Sequence, residues 1–226
     1  MRTGILTIET SGEYCSVAFS EHGIYVFDSI CYIKHTQAGM LADLVKSVLQ
    51  SANKNIASLA AVAVGSGPGS YTGLRIGLSL AKGICFANEI PLLSVSSMEN
   101  IANQAFAINS DIDSVLVTLD AKRNEVFGAV INRANKYVMP TMAMILGETA
   151  LDEYVLGKKI GIAGDGADKT VDFFKDTYAF IKTGLLYPNA QTALKLAFEK
   201  FDQSEFEHLA EFEPTYIKPV YITAAH

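Results

Sequence analysis

Apolar and polar positions along the first hundred residues trace a succession of short strands and longer helices. Ile5 to Ile8 is an unbroken apolar run of strand length. Tyr14 to Phe19 and Ile24 to Ile30 follow as the arms of a hairpin, separated by polar turn residues around Glu21-His22-Gly23. From Thr36 to Ser51 apolar residues recur at i, i+1, i+4 and i+5, which predicts a helix with Met40, Leu41, Leu44 and Val48 on one side. Leu59 to Gly65 is the next strand. A glycine-rich turn and a second helix to about Ala87 come after it, then a strand at Leu92 to Val95 and a helix from Ser97.

Beyond Ser110 the pattern restarts. Val115 to Asp120, a short polar turn and Val126 to Ile131 repeat the layout of Ile5 to Glu9, its turn and Cys15 to Phe19. Each unit is an apolar strand closing on an acid, a tight turn, and a second strand. We read this as a duplicated lobe in an α/β fold, with a lobe at 1–102 and a smaller one at 103–226. Ile160 to Ala163 is a strand opening onto the tight turn Gly164-Asp-Gly-Ala167. Pro188-Asn-Ala-Gln191 introduces a helix over 189–202 that is expected to pack back on the first lobe. The segment from Glu213 through Pro219 to Ile222 reads as extended, punctuated by prolines.

The helix after the glycine-rich turn carries Gly73, Gly77 and Ala81 at four-residue spacing, a shallow stripe suited to close packing. Leu74, Ile76, Leu78, Leu80 and Ile84 cover much of the remainder. A helix apolar on nearly every side calls for burial on two sides, one of them against another protein. A charge at Gly77 or Ala81 is therefore expected to abolish association and leave the monomer folded.

Composition narrows the classes. Of 226 residues, 50% are hydrophobic and 19% charged, a globular balance with a sizeable core. A formal charge of −6 gives little general attraction to phosphates, so strong nucleic-acid binding by the chain alone is not expected. Cys15, Cys31 and Cys85 lie in apolar segments without paired spacing, as buried thiols of a reducing cytosol do. No signal-peptide pattern or membrane-length apolar run is read, so a cytoplasmic setting without membrane attachment is expected.

Candidate chemistry is sparse. Gly65-Ser-Gly-Pro-Gly-Ser70 follows a strand and opens a helix, but it has Ser at the sixth position, an intruding Pro68 and no Gly-Lys-Ser/Thr. A turn packing strand on helix fits better than a nucleotide loop. His22, His35, His208 and His226 are scattered without ligand spacing, and neither His-Glu-x-x-His nor Gly-x-Ser-x-Gly occurs, so no metal or cofactor is expected. Glu9-Thr10-Ser11 and Asp120-Ala-Lys122-Arg123 place an acid where each first strand turns. Across a cleft between lobes they could hold a metal–phosphate complex or touch tRNA; equally, the acids could bond their own turn amides.

The stretches Ile5-Leu-Thr-Ile-Glu-Thr-Ser11, Ala61-Val-Ala-Val-Gly65, Gly67-Pro-Gly-Ser-Tyr-Thr-Gly-Leu-Arg-Ile-Gly77, Pro91-Leu-Leu-Ser-Val-Ser-Ser-Met-Glu99 and Asp120-Ala-Lys-Arg-Asn-Glu-Val126 resemble the TsaB (YeaZ) family. The likeness is clear over roughly the first 130 residues and thinner after, apart from Gly164-Asp-Gly166 and Pro214-Thr-Tyr-Ile-Lys218. It implies a two-lobed fold of the actin/Hsp70/sugar-kinase type and a role in threonylcarbamoyladenosine synthesis on tRNA. It implies as partners a TsaD-like catalytic subunit and a TsaE-like ATPase, a homodimer when alone, and tRNA reached only through the complex. The resemblance further implies an interface built from the two helices named above. The metal-binding His-x-x-x-His of the catalytic paralogue falls here on Ser97 and Ile101, so the chain is expected to be no enzyme itself. The alternative is a phosphotransferase or nucleotide hydrolase acting through Glu9 and Asp120; an older peptidase label for the family finds no supporting residues.

Overall fold

The computed structural model describes residues 2–33 and 37–218. His35, Thr36 and His226, and positions 219–222 of the extended segment expected from Glu213 to Ile222, lie outside the described residues. Ten strands form two mixed sheets of five with the same internal order. In the first, β1 (Gly4–Glu9) lies between antiparallel β2 (Cys15–Glu21) and parallel β4 (Leu59–Gly67). The strands β3 (Ile24–Cys31) and β5 (Leu92–Ser96) form the edges. In the second sheet β6 (Ser114–Asp120) lies between antiparallel β7 (Glu125–Asn132) and parallel β9 (Ile160–Ala163). Its edges are β8 (Tyr137–Ile145) and β10 (Phe180–Lys182). The duplication read from the two hairpins is thus a duplication of whole sheets.

The helices α1 (Gln37–Ser51) and α2 (Tyr71–Asn88) cover one face of the first sheet. Leu41, Leu44, Val45 and Val48 meet Val17 and Phe19 there, while Leu78, Ala81 and Ile84 lie in the same core. Two short helices, α4 (Asp152–Val155) and α5 (Ala167–Phe174), cover the equivalent face of the second sheet. The remaining faces are closed by exchange. Helix α3 (Ser97–Ile108) follows the first sheet's last strand, yet Met98, Ile101, Ala102 and Ala105 pack on Val115, Val117, Ala129 and Ile131 of the second. Helix α6 (Ala190–Asp202) follows the second sheet's last strand and returns to the first, seating Ala193, Leu196 and Ala197 on Ile5, Ala61, Ala63 and Val95.

The structure corrects the picture of a second helix greasy on all sides. Leu74, Gly77, Leu78, Ala81 and Ile84 are buried in the chain's own interior, as are Leu41, Leu44 and Val48. The outward face of α2 presents Thr72, Arg75, Ser79 and Gly83, with Phe86 the large apolar exception at 80% exposure. The small-residue stripe has an intramolecular use. A Cβ on Gly73 would collide with the Thr10 carbonyl and one on Gly77 with the Thr10 hydroxyl, which itself donates to the Gly73 carbonyl at 2.8 Å. A charge at Gly77 or Ala81 therefore strikes the fold before it strikes any partner. Among the described residues no helix is long and apolar enough to cross a membrane.

Candidate docking groove and interlobe cleft

Two concavities meet at the start of α2. The first is a shallow groove of about 520 Å³ between α1 and α2, lined by Ala38, Leu41, Ala42, Tyr71, Thr72, Arg75, Ile76, Ser79 and Leu80. Of the residues expected at an interface, Met40 is 38% exposed beside it and Ile76 and Leu80 are half-buried within it. Of the buried members only Leu41 lines it; Leu44, Val48, Leu74, Gly77, Leu78, Ala81 and Ile84 lie in the interior and not in the groove. One wall is braced by the chain's last described residues. The Arg75 guanidinium lies 4.1 Å from the Tyr71 ring centre, its Nε donates to the Tyr216 hydroxyl at 3.1 Å, and the two tyrosine rings stand 5.1 Å apart. Stacking on aromatic faces holds a guanidinium flat and leaves its outer edge to solvent.

The second concavity is a cleft of about 600 Å³ between the lobes. The first lobe contributes Ser11, Gly12 and Glu13 from the β1–β2 turn and Pro68, Gly69, Ser70 and Gly73 from the β4–α2 turn. Opposite stand Leu119, Asp120, Lys122, Phe127 and Asp165, with Tyr187 and Pro188 at one end. The glycine-rich turn closes by packing: Ser70 N–H donates to the Ser11 carbonyl at 2.7 Å, and a Cβ on Gly69 would reach that oxygen at 2.5 Å. Ser70 Oγ in turn accepts the Gly73 N–H at 3.2 Å and caps α2. The Gly67–Pro68 peptide is cis.

Ser11, Asp120 and Lys122 are brought to this one cleft; Glu9, Thr10 and Arg123 are not among its lining residues. Glu9 lies wholly buried behind the turn, its carboxylate against Gly65, and Oε1 accepts the Ser11 N–H at 2.7 Å. Burial pushes its carboxyl above the usual range, against the lowering effect of the Ser11 hydroxyl and of the Ser11 and Thr10 amides. Asp120 likewise accepts its turn amide, Lys122 N–H, at 3.1 Å. Burial would raise the Asp120 carboxyl, yet the Lys169 ammonium at 2.5 Å, with the Lys122 amide, holds it below its ordinary value. Lys122 reaches solvent, 3.7 Å from Asp120, and with Arg123 forms a turn at positive φ.

Sequence reading missed Glu13, Asp165 and Tyr187. Burial raises the Asp165 carboxyl, and burial together with Asp165 and Glu13 raises the Tyr187 hydroxyl. The lining carboxylates Glu13, Asp120 and Asp165 face the single lining ammonium of Lys122, a balance that repels a bare polyphosphate. No periodicity flags such residues, because each belongs to a different turn.

The positions where the resemblance puts metal-binding imidazoles do not fit a metal. Ser97 is buried and donates from Oγ to Ser11 Oγ at 2.9 Å, and Ile101 is fully buried in hydrocarbon beneath the second sheet. Among the described residues no group of three or more His, Cys, Asp or Glu side chains could hold a metal ion.

Against known proteins, the family described as "TsaD: tRNA N6-adenosine threonylcarbamoyltransferase" matches residues 30–224. The tRNA threonylcarbamoyladenosine biosynthesis protein TsaB of Escherichia coli is 28% identical over 221 residues, 95% of this chain and 94% of that protein. A crystal structure from Pseudomonas aeruginosa, described as similar to peptidase YEAZ, superposes with a TM-score of 0.85 at 24% identity, covering 96% of this chain and all of that one. Component A of the (R)-2-hydroxyglutaryl-CoA dehydratase of Acidaminococcus fermentans shares the fold at a TM-score of 0.52 and 12% identity, covering 90% of this chain and 99% of that one. The shared architecture is the duplicated actin-like fold.

Proposed function

The chain belongs to the TsaB (YeaZ) branch of the tRNA N6-adenosine threonylcarbamoyltransferase family, and from that footing we propose that it is the non-catalytic partner of a TsaD-like subunit. It binds and activates that subunit for threonylcarbamoyladenosine formation beside the anticodon, in a complex with a TsaE-like ATPase. Alone it pairs with itself through the same face, and it meets tRNA only inside the complex. The single observation carrying this reading is the α1–α2 groove. Its helical walls offer Ala38, Ile76 and Leu80 around a buried Leu41, with Arg75 held ready at the rim. Recognition of this kind inserts partner side chains between two helices, burying an apolar centre inside a polar rim.

Chemistry in the cleft has weaker support. Glu9, which a phosphotransferase would need at the metal, spends one oxygen on its own turn and lies out of reach behind Gly65. Ser97 and Ile101 offer no imidazole.

The test mixes the full chain with its catalytic paralogue and follows complex mass and tRNA modification together. Ala42→Glu and Ser79→Glu place charges on exposed groove positions without entering the core. Both variants are expected to stay folded, to lose the complex, and to lower modification to the level of the paralogue alone. Undiminished complex formation would reject the groove. Titration with ATP and magnesium is expected to give no heat; binding and turnover lost in Glu9→Ala would establish the enzymatic alternative.

A further inference from the structure

The hairpin of β2 and β3 carries a cysteine on each arm at its open end. In the antiparallel register Cys15 stands directly opposite Cys31. Directly opposed residues place their Cα atoms about 4.5–5.5 Å apart, within the roughly 4.4–6.8 Å that a disulfide spans. They also project to the same face of the sheet. Both thiols are buried there, in the hydrocarbon between the first sheet and α1 that includes Val17 and Leu41. Their environments are coupled: burial pushes the Cys15 thiol up to about 11, and the Cys31 thiol beside it adds to the rise.

The neighbouring residues hold this register. Tyr14 and Tyr32, one position outward on each arm, meet at a tilt of 56° with ring centres 5.1 Å apart, and Tyr14 meets Tyr187 edge-on at the same distance. The third cysteine, Cys85, lies elsewhere on α2, where its thiol donates to the Pro91 carbonyl at 3.4 Å.

We propose that Cys15 and Cys31 form a cross-strand dithiol that hydrogen peroxide oxidises to an intramolecular disulfide. One thiol, as its thiolate, attacks a peroxide oxygen and breaks the O–O bond, becoming a sulfenic acid and releasing hydroxide. The second thiolate attacks that sulfur, forms the S–S bond and expels a second hydroxide. The two hydroxides take up the two thiol protons. Two thiols and one peroxide thus give one disulfide and two waters, the sulfur pair losing the two electrons that the peroxide gains. Burial under α1 and weak acidity make both thiols slow nucleophiles, so the site answers sustained oxidant and not a brief pulse. The bond would tie the chain a few residues before α1 begins, and its chemistry does not depend on the docking reading.

The test exposes the folded full chain to hydrogen peroxide, blocks residual thiols by alkylation and maps peptides without reduction. The expected product joins the Cys15 and Cys31 peptides, has lost two hydrogens, reverts with dithiothreitol and leaves Cys85 alkylated. Folding sets the pairing and not the rate: in the folded chain the Cys15–Cys31 bond is expected on the order of tenfold in excess over any bond to Cys85, a preference lost in urea. Cys31→Ala is expected to stop at a Cys15 sulfenic acid that dimedone traps. Recovery of both residues as alkylated thiols, a bond to Cys85, or the same mixture of pairings in the folded chain as in urea would overturn the proposal.

Discussion

Glu9 divides its two oxygens between opposite fates. Oε1 accepts the Ser11 amide, while Oε2 is buried with no hydrogen-bond partner among the described residues. Burial raises its folded-state pKa above 4.5, so the native protein holds this proton more tightly than the unfolded chain does. The associated stability is complete below about 4.5 and is lost as pH rises through the folded value. Glu9→Gln should therefore match the parent in urea denaturation near roughly pH 4 and exceed it at roughly pH 7.5. Gly77 supplies a second residue-scale outcome. Gly77→Ala should cost ~1–3 kcal/mol by overpacking, despite the better helix propensity of alanine, and thermal denaturation would show it. The four-residue spacing of Gly73, Gly77 and Ala81 announced close packing in the sequence. It could not name the neighbour, because Thr10 lies 63 residues from Gly73 along the chain.

Elements with strong periodicity were legible, and those set by tertiary context were not. β1, β4, α1 and α2 follow from apolar runs and helical spacing. β8 went unread because Met139, Met142 and Met144 are weak strand formers and Pro140 interrupts the run; as an edge strand it tolerates a residue without an N–H. α5 is too short for its period to stand out, but Gly164 fixes its approach: at φ +102 a side chain there would collide with the Thr118 carbonyl. Capping gives an element-scale expectation. Ser70→Ala removes the acceptor for the Gly73 amide and should lower stability by about 1 kcal/mol in denaturant titration. The β6–β7 turn depends on Lys169, whose ammonium donates to Asp120 at 2.5 Å and to the Glu125 and Arg123 carbonyls at 2.6 and 3.1 Å. Lys169→Met should cost about 1.5–3 kcal/mol and increase amide exchange in that hairpin.

Across the molecule, the lobes are joined by buried amides as well as hydrocarbon. Asn100 and Gln104 of α3 bond one another at 3.1 Å, Asn100 Nδ2 donates to the Asn189 carbonyl at 2.8 Å, and Asn189 Nδ2 donates to Gln104 Oε1 at 2.8 Å. Asn189 also caps α6 by accepting the Thr192 amide at 2.8 Å. Asn100→Ala strands several of these groups at once and should cost about 2 kcal/mol by urea titration. The duplicated sheets could be inferred from paired strand–turn–strand patterns. The amide junction could not, since its members are 85 and 89 residues apart and polar residues carry no burial signal in sequence.

Because each sheet is roofed by a helix that the other half of the chain supplies, neither half carries a finished interior of its own. Severing the exposed bond between Ser110 and Asp111 should yield fragments that precipitate apart and regain the native form on mixing, like a split reporter. The intact chain should accordingly melt in a single calorimetric step.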